Sequence, residues 1–179
     1  MTDRSTRLGD QEVPVFQFDW KTGEAQPYRK TYNLVPGQSW WKAEITDKQF
    51  ENYALDDDGN QIPVGALIAK QLIKEGAIFA VFTEMWAGKF VMVDHNLNCV
   101  SASSQAEEVL AEIKAANHNK LGGFPDVFAI HPDGTLSFRE AKSIKAKDRL
   151  GQKQHEFANL LRSLFGPEVD LGVVEWDLP

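Results

Sequence analysis

Residues 125–142 read PDVFAIHPDGTLSFREAK, and the way this stretch folds decides which side chains can meet. His131-Pro132-Asp133-Gly134-Thr135 puts proline where φ must be about −65° and glycine where a left-handed φ is needed. That is the chemistry of a three-residue hairpin loop ending in a glycine bulge. If His131 faces Thr135, then Phe128 faces Phe138 and Asp126 faces Glu140. Side chains alternate along a strand, so Glu140 and Lys142 share that face. A two-residue loop would slip the register by one and move Asp126 to the other side of the sheet from Glu140. Two carboxylates and a lysine delivered by one hairpin are the parts needed to hold a divalent cation beside a phosphodiester.

The chain of 179 residues is 42% hydrophobic, enough for a single domain spanning 1–179 with a real core. Residues 1–60, with Trp20, Trp40 and Trp41 among scattered Gly and Pro, are expected to be an N-terminal extension packed on the body. Residues 63–179 are expected to form the core, with an insertion over about 86–120. The lone cysteine, Cys99, can make neither an internal disulfide nor a thiolate cluster, which points to a reducing compartment. No apolar run approaches the roughly 20 residues of a membrane span, and residues 1–7 lack the apolar core of a signal peptide. The expectation is a soluble, cytoplasmic chain with no membrane partner.

A net charge of −7 argues against a nucleic-acid partner until its distribution is considered. Residues 139–153 hold Arg139, Lys142, Lys145, Lys147, Arg149 and Lys153 against Glu140 and Asp148. Six basic side chains against two acidic ones give a local +4, which leaves −11 elsewhere. A basic patch beside acidic metal ligands suits a phosphodiester site; the bland reading is a solvated loop and helix start.

Val64, Leu67, Ile68 and Leu72 follow helical spacing and Gly76 ends the run, predicting a helix over 63–75. Residues 77–83 are continuously apolar, as in a strand covered on both faces, and a further strand is expected over 89–94. Ser104-Gln-Ala-Glu107 has capping-box form and opens a helix over 104–116. After the hairpin, a helix over 150–165 is signalled by Leu150, Phe157, Leu161 and Leu164 and stopped by Gly166-Pro167; residues 169–176 form a last strand. Asp56 to Asn60 departs from a calcium loop, because Gln61 and Leu67 occupy the positions of its glycine and bidentate glutamate, and reads as a turn. The order of elements is α/β.

Gln154 falls on the apolar face of the last helix, where a polar group must find a partner. If that face packs beside the hairpin, its amide can reach a carboxylate or a bound water.

Together, Gly122-Gly-Phe-Pro-Asp126, Glu140-Ala-Lys142 and Asp148-Arg-Leu-Gly-Gln-Lys-Gln154-His-Glu-Phe157 resemble the PD-(D/E)xK nuclease superfamily, most closely its VRR-NUC branch. The resemblance covers about residues 120–176 and is topological upstream. It implies a restriction-endonuclease-like α/β fold, a mixed central sheet flanked by helices, here with an N-terminal extension and a helical insertion. It further implies Asp126, Glu140 and the backbone carbonyl of Ala141 as ligands of Mg²⁺ or Mn²⁺, Lys142 orienting the attacking water, and Gln154 supporting the site. Lys145, Lys147, Arg149 and Lys153 would contact nucleic acid, DNA being the favoured substrate. One departure stands out. Family members place a further acid on the helix before the first core strand, where this chain has only Glu75 at the helix end; Glu84, at the close of the apolar strand, is the substitute candidate.

The expected activity is metal-dependent phosphodiester hydrolysis. The main rival is a catalytically inactive module on the same scaffold that binds nucleic acid or a protein, and a protein partner or homodimer is compatible with either. A third reading makes the hairpin charges plain surface pairs. His95, His118, His131 and His155 show no metal-ligand spacing.

Overall fold

The computed structural model describes residues 4–17, 53–55, 61–84, 89–93 and 103–176. Trp20, Trp40, Trp41 and the turn expected at Asp56 to Asn60 lie outside the described residues. The elements in chain order are β1 (Ser5–Leu8), β2 (Gln11–Gln17), β3 (Tyr53–Leu55), β4 (Gln61–Pro63), α1 (Val64–Lys74), β5 (Phe79–Glu84), β6 (Lys89–Val93), α2 (Ser104–Ala116), β7 (Val127–Ile130), β8 (Leu136–Ser143), α3 (Gln152–Phe165) and β9 (Asp170–Trp176). Seven strands form one mixed sheet in the order β1-β2-β9-β8-β7-β5-β6, and β3 pairs separately with β4. β9 runs parallel to both β8 and β2, whereas β5, β6, β7 and β8 meet antiparallel.

Helices cover both faces of the sheet. α1 packs on one, burying Val64, Leu67, Ile68 and Leu72 against Ala80, Phe82, Val127, Ala129, Val174 and Trp176. α2 and α3 pack on the other, where Ala106, Val109, Leu110, Ile113, Phe157 and Leu161 meet Val81, Phe128, Phe138 and Leu171. With both faces covered, β7 is buried along its whole length. This explains why its apolar residues do not alternate with polar ones. A buried Phe or Leu stabilises by about 1.5–3 kcal/mol, so the Phe124, Phe128, Phe138 and Phe157 cluster is a major anchor of the α3 face. Phe124 meets Phe157 and Phe128 edge-on, at centroid distances of 5.4 and 6.1 Å.

The hairpin forms in the expected register. His131 N–H donates to Thr135 O (2.9 Å), Gly134 has φ +84°, and Val127 pairs with Arg139 and Phe128 with Phe138. Asp133 accepts from both the N–H and the hydroxyl of Thr135, which tightens the loop. Gly76, at φ +109°, ends α1 as expected, with its N–H bonded to Ile73 O.

Two expectations of detail change, and the described parts of two further segments find places in the core and the sheet. The N-cap of α2 is Ser103, whose side chain accepts from Ala106 N–H at 3.1 Å, and Glu107 is therefore not a capping-box partner. Two adjacent serines offered the same cap chemistry, and burial of Ala106, Val109, Leu110 and Ile113 goes with the earlier one. α3 begins at Gln152 because Gly151 is extended, leaving Leu150 ahead of the helix. The segment read as an insertion carries α2, whose buried face is part of the main core. Residues 5–17 of the expected extension supply two strands of the central sheet.

Candidate functional site

The site lies at the C-terminal end of β8, on the α3 face. Alternation places Phe138, Glu140 and Lys142 on that face, whereas Arg139 and Ala141 point to α1. Asp126 immediately precedes β7, one step beyond the Val127 and Arg139 pair, so its position faces Glu140. Its Oδ2 accepts the Ala141 N–H at 2.7 Å. The N–H and C=O of one strand residue point to the same edge, so the Ala141 carbonyl is also directed to the Asp126 side.

Glu140 and Lys142 are buried, with 7% and 9% of their side chains exposed, and they form an ion pair at 2.8 Å. Lys142 Nζ also donates to Asp148 Oδ2 at 3.2 Å, whose side chain is 49% exposed. A tight turn makes that second contact. Ser143 Oγ accepts from Ala146 N–H, Ser143 O accepts from Asp148 N–H, and Lys147 takes φ +55° to close the loop. Gln154 Nε2 donates to the same Glu140 Oε1 that accepts from Lys142. The amide is oriented from behind, because its Oε1 accepts the Gly151 N–H at 2.6 Å, half of a capping box.

The glycine-led Pro-Asp motif has a packing reason. At Gly123, with φ +89°, a Cβ would stand 2.3 Å from the Lys153 carbonyl oxygen. Only glycine lets this loop lie against the first turn of α3, where Gln154 bonds Glu140 while Phe124 and Asp126 take their places on the sheet.

Burial pushes the Asp126 carboxyl up to about 6, against the Ala141 N–H and the Lys142 charge, which lower it. Burial, and next the charge of Asp126, push Glu140 up to about 8. Burial lowers Lys142, but Glu140 and Asp148 outweigh it and leave the ammonium above its ordinary value. A 2.8 Å ion pair implies an ionised Glu140, whereas a group titrating near 8 keeps its proton for much of the time at neutral pH. The carboxyl lies above its ordinary range because burial and a second carboxylate act together while the one lysine is shared with Asp148.

The two carboxylates fit a hard divalent cation such as Mg²⁺ or Mn²⁺, which takes oxygen donors and would relieve the repulsion that raises them. Among the described residues, Asp126 Oδ1 and Glu140 Oε2 accept no hydrogen bond. No group of three His, Cys, Asp or Glu poised for a metal occurs among the described residues. Glu75 lies on the opposite side of the sheet, bonded by Gln71 at 2.8 Å beside Arg139. Strand position 84 has the parity of Phe82, which faces α1, whereas Thr83 shares the parity of Asp126. The Glu84 side chain itself lies outside the described residues.

The basic stretch does not act as one patch. Arg139 is buried on the α1 face, over the Phe16 ring at 4.7 Å and paired with Asp170 at 2.7 Å. Lys147 and Arg149 line a groove of about 550 Å³ that includes Lys142 and Asp148. Lys145 and Lys153 are exposed but do not line it, and Lys153 lies near Gly122. Sequence reasoning missed Asp148 as a partner of Lys142, and missed Arg4 and Arg7 of the N-terminal hairpin, which line the same groove. Ser143 followed by Asp148 was the available signal for the first; nothing local signalled the second.

His131, Ser137 and Asp170 form a second polar chain, which is not a nucleophilic triad. Ser137 Oγ donates to Asp170 at 2.6 Å and bonds His131 Nε2 at 2.7 Å, so the serine sits between histidine and acid and is itself buried. A catalytic triad needs the histidine in the middle.

No helix among the described residues is long and apolar enough to cross a membrane. No protein-family model, curated protein or solved structure matches the chain.

Proposed function

We propose that this chain is a metal-dependent nuclease of the PD-(D/E)xK type, built on a restriction-endonuclease-like sheet and hydrolysing phosphodiester bonds, DNA being the favoured substrate. The observation that carries the reading is Glu140. It is a carboxylate facing Asp126 across the hairpin, held at one oxygen by both Lys142 and Gln154 and pushed up by burial first and by its acidic neighbour second. Burying a glutamate and a lysine beside a half-buried aspartate for stability alone tends to be unprofitable, and perturbed carboxylates behind a lysine that lines an open groove are a mark of chemistry.

Asp126, Glu140 and the Ala141 carbonyl would hold Mg²⁺ or Mn²⁺, which when bound supplies Lewis acidity and a more acidic water. Lys142, charged and held at Nζ by Glu140 and Asp148, positions a phosphate oxygen or water with its remaining N–H and offsets negative charge developing there. Gln154 fixes the Glu140 carboxylate by occupying Oε1, so that Oε2 is the oxygen presented to the site. Asp148 holds Lys142 from the solvent side. The test is cleavage of DNA and RNA with Mg²⁺, with Mn²⁺ and with chelator. Cleavage should require the metal and disappear in Asp126→Ala and Lys142→Ala while circular dichroism is unchanged; cleavage retained in both variants would sink the assignment.

The second reading is an inactive nucleic-acid or protein-binding module. It is favoured by the two carboxylates that occupy Lys142 and by the position of Glu75 on the far face. Binding without divalent metal and no cleavage of any nucleic acid would select it.

A further inference from the structure

The β1–β2 hairpin is held against α3 by its turn. Gly9 N–H donates to His155 Nδ1 (3.0 Å), Asp10 N–H to Asn159 Oδ1 (2.9 Å), Asn159 Nδ2 to Asp10 Oδ2 (2.9 Å), and Arg162 to the Leu8 carbonyl (2.7 Å). Gly9 is needed for that approach, since a Cβ there would stand 2.1 Å from Asn159 Oδ1. Docked in this way, β1 faces the 143–150 turn across the groove of about 550 Å³, with Arg4 and Arg7 on one side and Lys147 and Arg149 on the other. Arg4 is neutralised by Glu175 at 2.8 Å. Arg7 makes only a 3.3 Å bond from Nε to Gly9 O, and Lys147 and Arg149 have no acidic partner among the described residues. His155 also lines the groove. Because its Nδ1 accepts from Gly9, the neutral ring carries its proton on Nε2, which makes the imidazole a further donor.

We propose that this groove binds the sugar-phosphate backbone of one nucleic-acid strand, through Arg7, Lys147, Arg149 and His155, and passes it to Lys142 at the groove's inner end. The inference rests on the nuclease reading for what happens at Lys142, but the binding stands apart from it. Three cations without an acidic partner among the described residues, and a neutral donor, line a concavity in a chain that is otherwise acidic, which is an electrostatic footprint for a polyanion. A concave track of this volume suits a single strand. Duplex readers instead insert a helix or a ribbon into a groove of the nucleic acid. Lys147 supports the assignment from the backbone side, because a non-glycine residue at φ +55° is uncommon, and here it brings to the groove wall an ammonium with no acidic partner among the described residues.

The experiment is fluorescence anisotropy of a labelled oligothymidylate of about 12 nucleotides, titrated with full-length protein in chelator over a range of salt. The wild type is compared with Arg7→Gln, Lys147→Asn, Arg149→Gln and their combination; asparagine tolerates the left-handed backbone. The triple variant should bind roughly tenfold or more weakly and lose about 2 from the slope of log K against log salt, at about 0.7 per phosphate contact. Should the combination unfold, the single variants are read in the same way. Unchanged affinity and slope would overturn the proposal, as would tighter binding of a duplex of the same length. If the variants weaken binding but no metal supports cleavage, the groove stands and the nuclease reading falls. If metal-dependent cleavage occurs and the variants change neither binding nor cleavage, the groove falls and the nuclease reading stands.

Discussion

Gln154 donates to Glu140 from the first turn of α3 while its own carbonyl oxygen is held by the Gly151 N–H at the helix start. One side chain therefore ties the beginning of a helix to a buried carboxylate on β8. Removing it should loosen the carboxylate more than the fold. In Gln154→Ala the loss of a supporting hydrogen bond should lower Mg²⁺ affinity or cleavage by about 10–100-fold, read by metal titration and initial rates. An undiminished metal affinity would show that Glu140 is positioned without the amide.

Gly123 should tolerate no side chain. Alanine there combines φ +89° with a Cβ 2.3 Å from a backbone oxygen of α3, and backbone cannot swing aside as a flexible side chain can. Urea unfolding should show a loss of at least about 1–3 kcal/mol, with cleavage falling further than stability explains because Gln154 moves. Gly134→Ala is the control: its φ is +84° but no atom lies within 4 Å, so it should cost about 1 kcal/mol and leave the site intact.

Stability should fall with rising pH because of Glu140. A carboxyl at about 8 when folded, against an ordinary 4.5, binds its proton more tightly in the folded chain. Its contribution is complete below the ordinary value and is lost as pH rises through about 8. Asp126, raised to about 6, acts in the same direction at lower pH. In chelator, Tm should drop between pH 5 and pH 8, on the order of these two values, more steeply in wild type than in Glu140→Gln. Saturating Mg²⁺ should reduce the drop, since it binds the ionised form. Parallel curves for the two proteins would refute the assignment.

Asp148 is the adjustable member of the site. Its charge raises both Asp126 and Glu140, and it also raises Lys142. In Asp148→Asn the acidic limb of the cleavage profile should move to lower pH, because both carboxylates ionise more readily. Half-exposed ion pairs contribute about 0–1 kcal/mol, so Tm should change little. An unmoved limb would mean that neither carboxylate limits the rate.

Asp126, Glu140 and Lys142 were assignable to one face from the sequence because everything needed was local. Pro132 and Gly134 set the loop length, loop length sets the register, and period-two alternation sets the face. Helical spacing likewise located α1, α2 and α3 to within two residues, since it depends only on which side chains recur every three or four positions. The placements of Arg7 and Arg139 were decided by tertiary structure alone, and the Asp148 contact by an unusual local turn. Asp148 meets Lys142 only because Lys147 adopts a left-handed φ, a conformation no propensity would assign to lysine. Arg7 reaches the groove through a turn docked on residues about 150 positions away in the chain. Arg139 belongs to a basic run by sequence but to the α1 face by alternation, where Phe16 and Asp170, each distant in sequence, complete its surroundings. Local chemistry determined which residues of the hairpin face one another. Long-range packing, through the burial and charges it places around each group, determined what else they face, Asp148 apart, which the left-handed turn at Lys147 delivers.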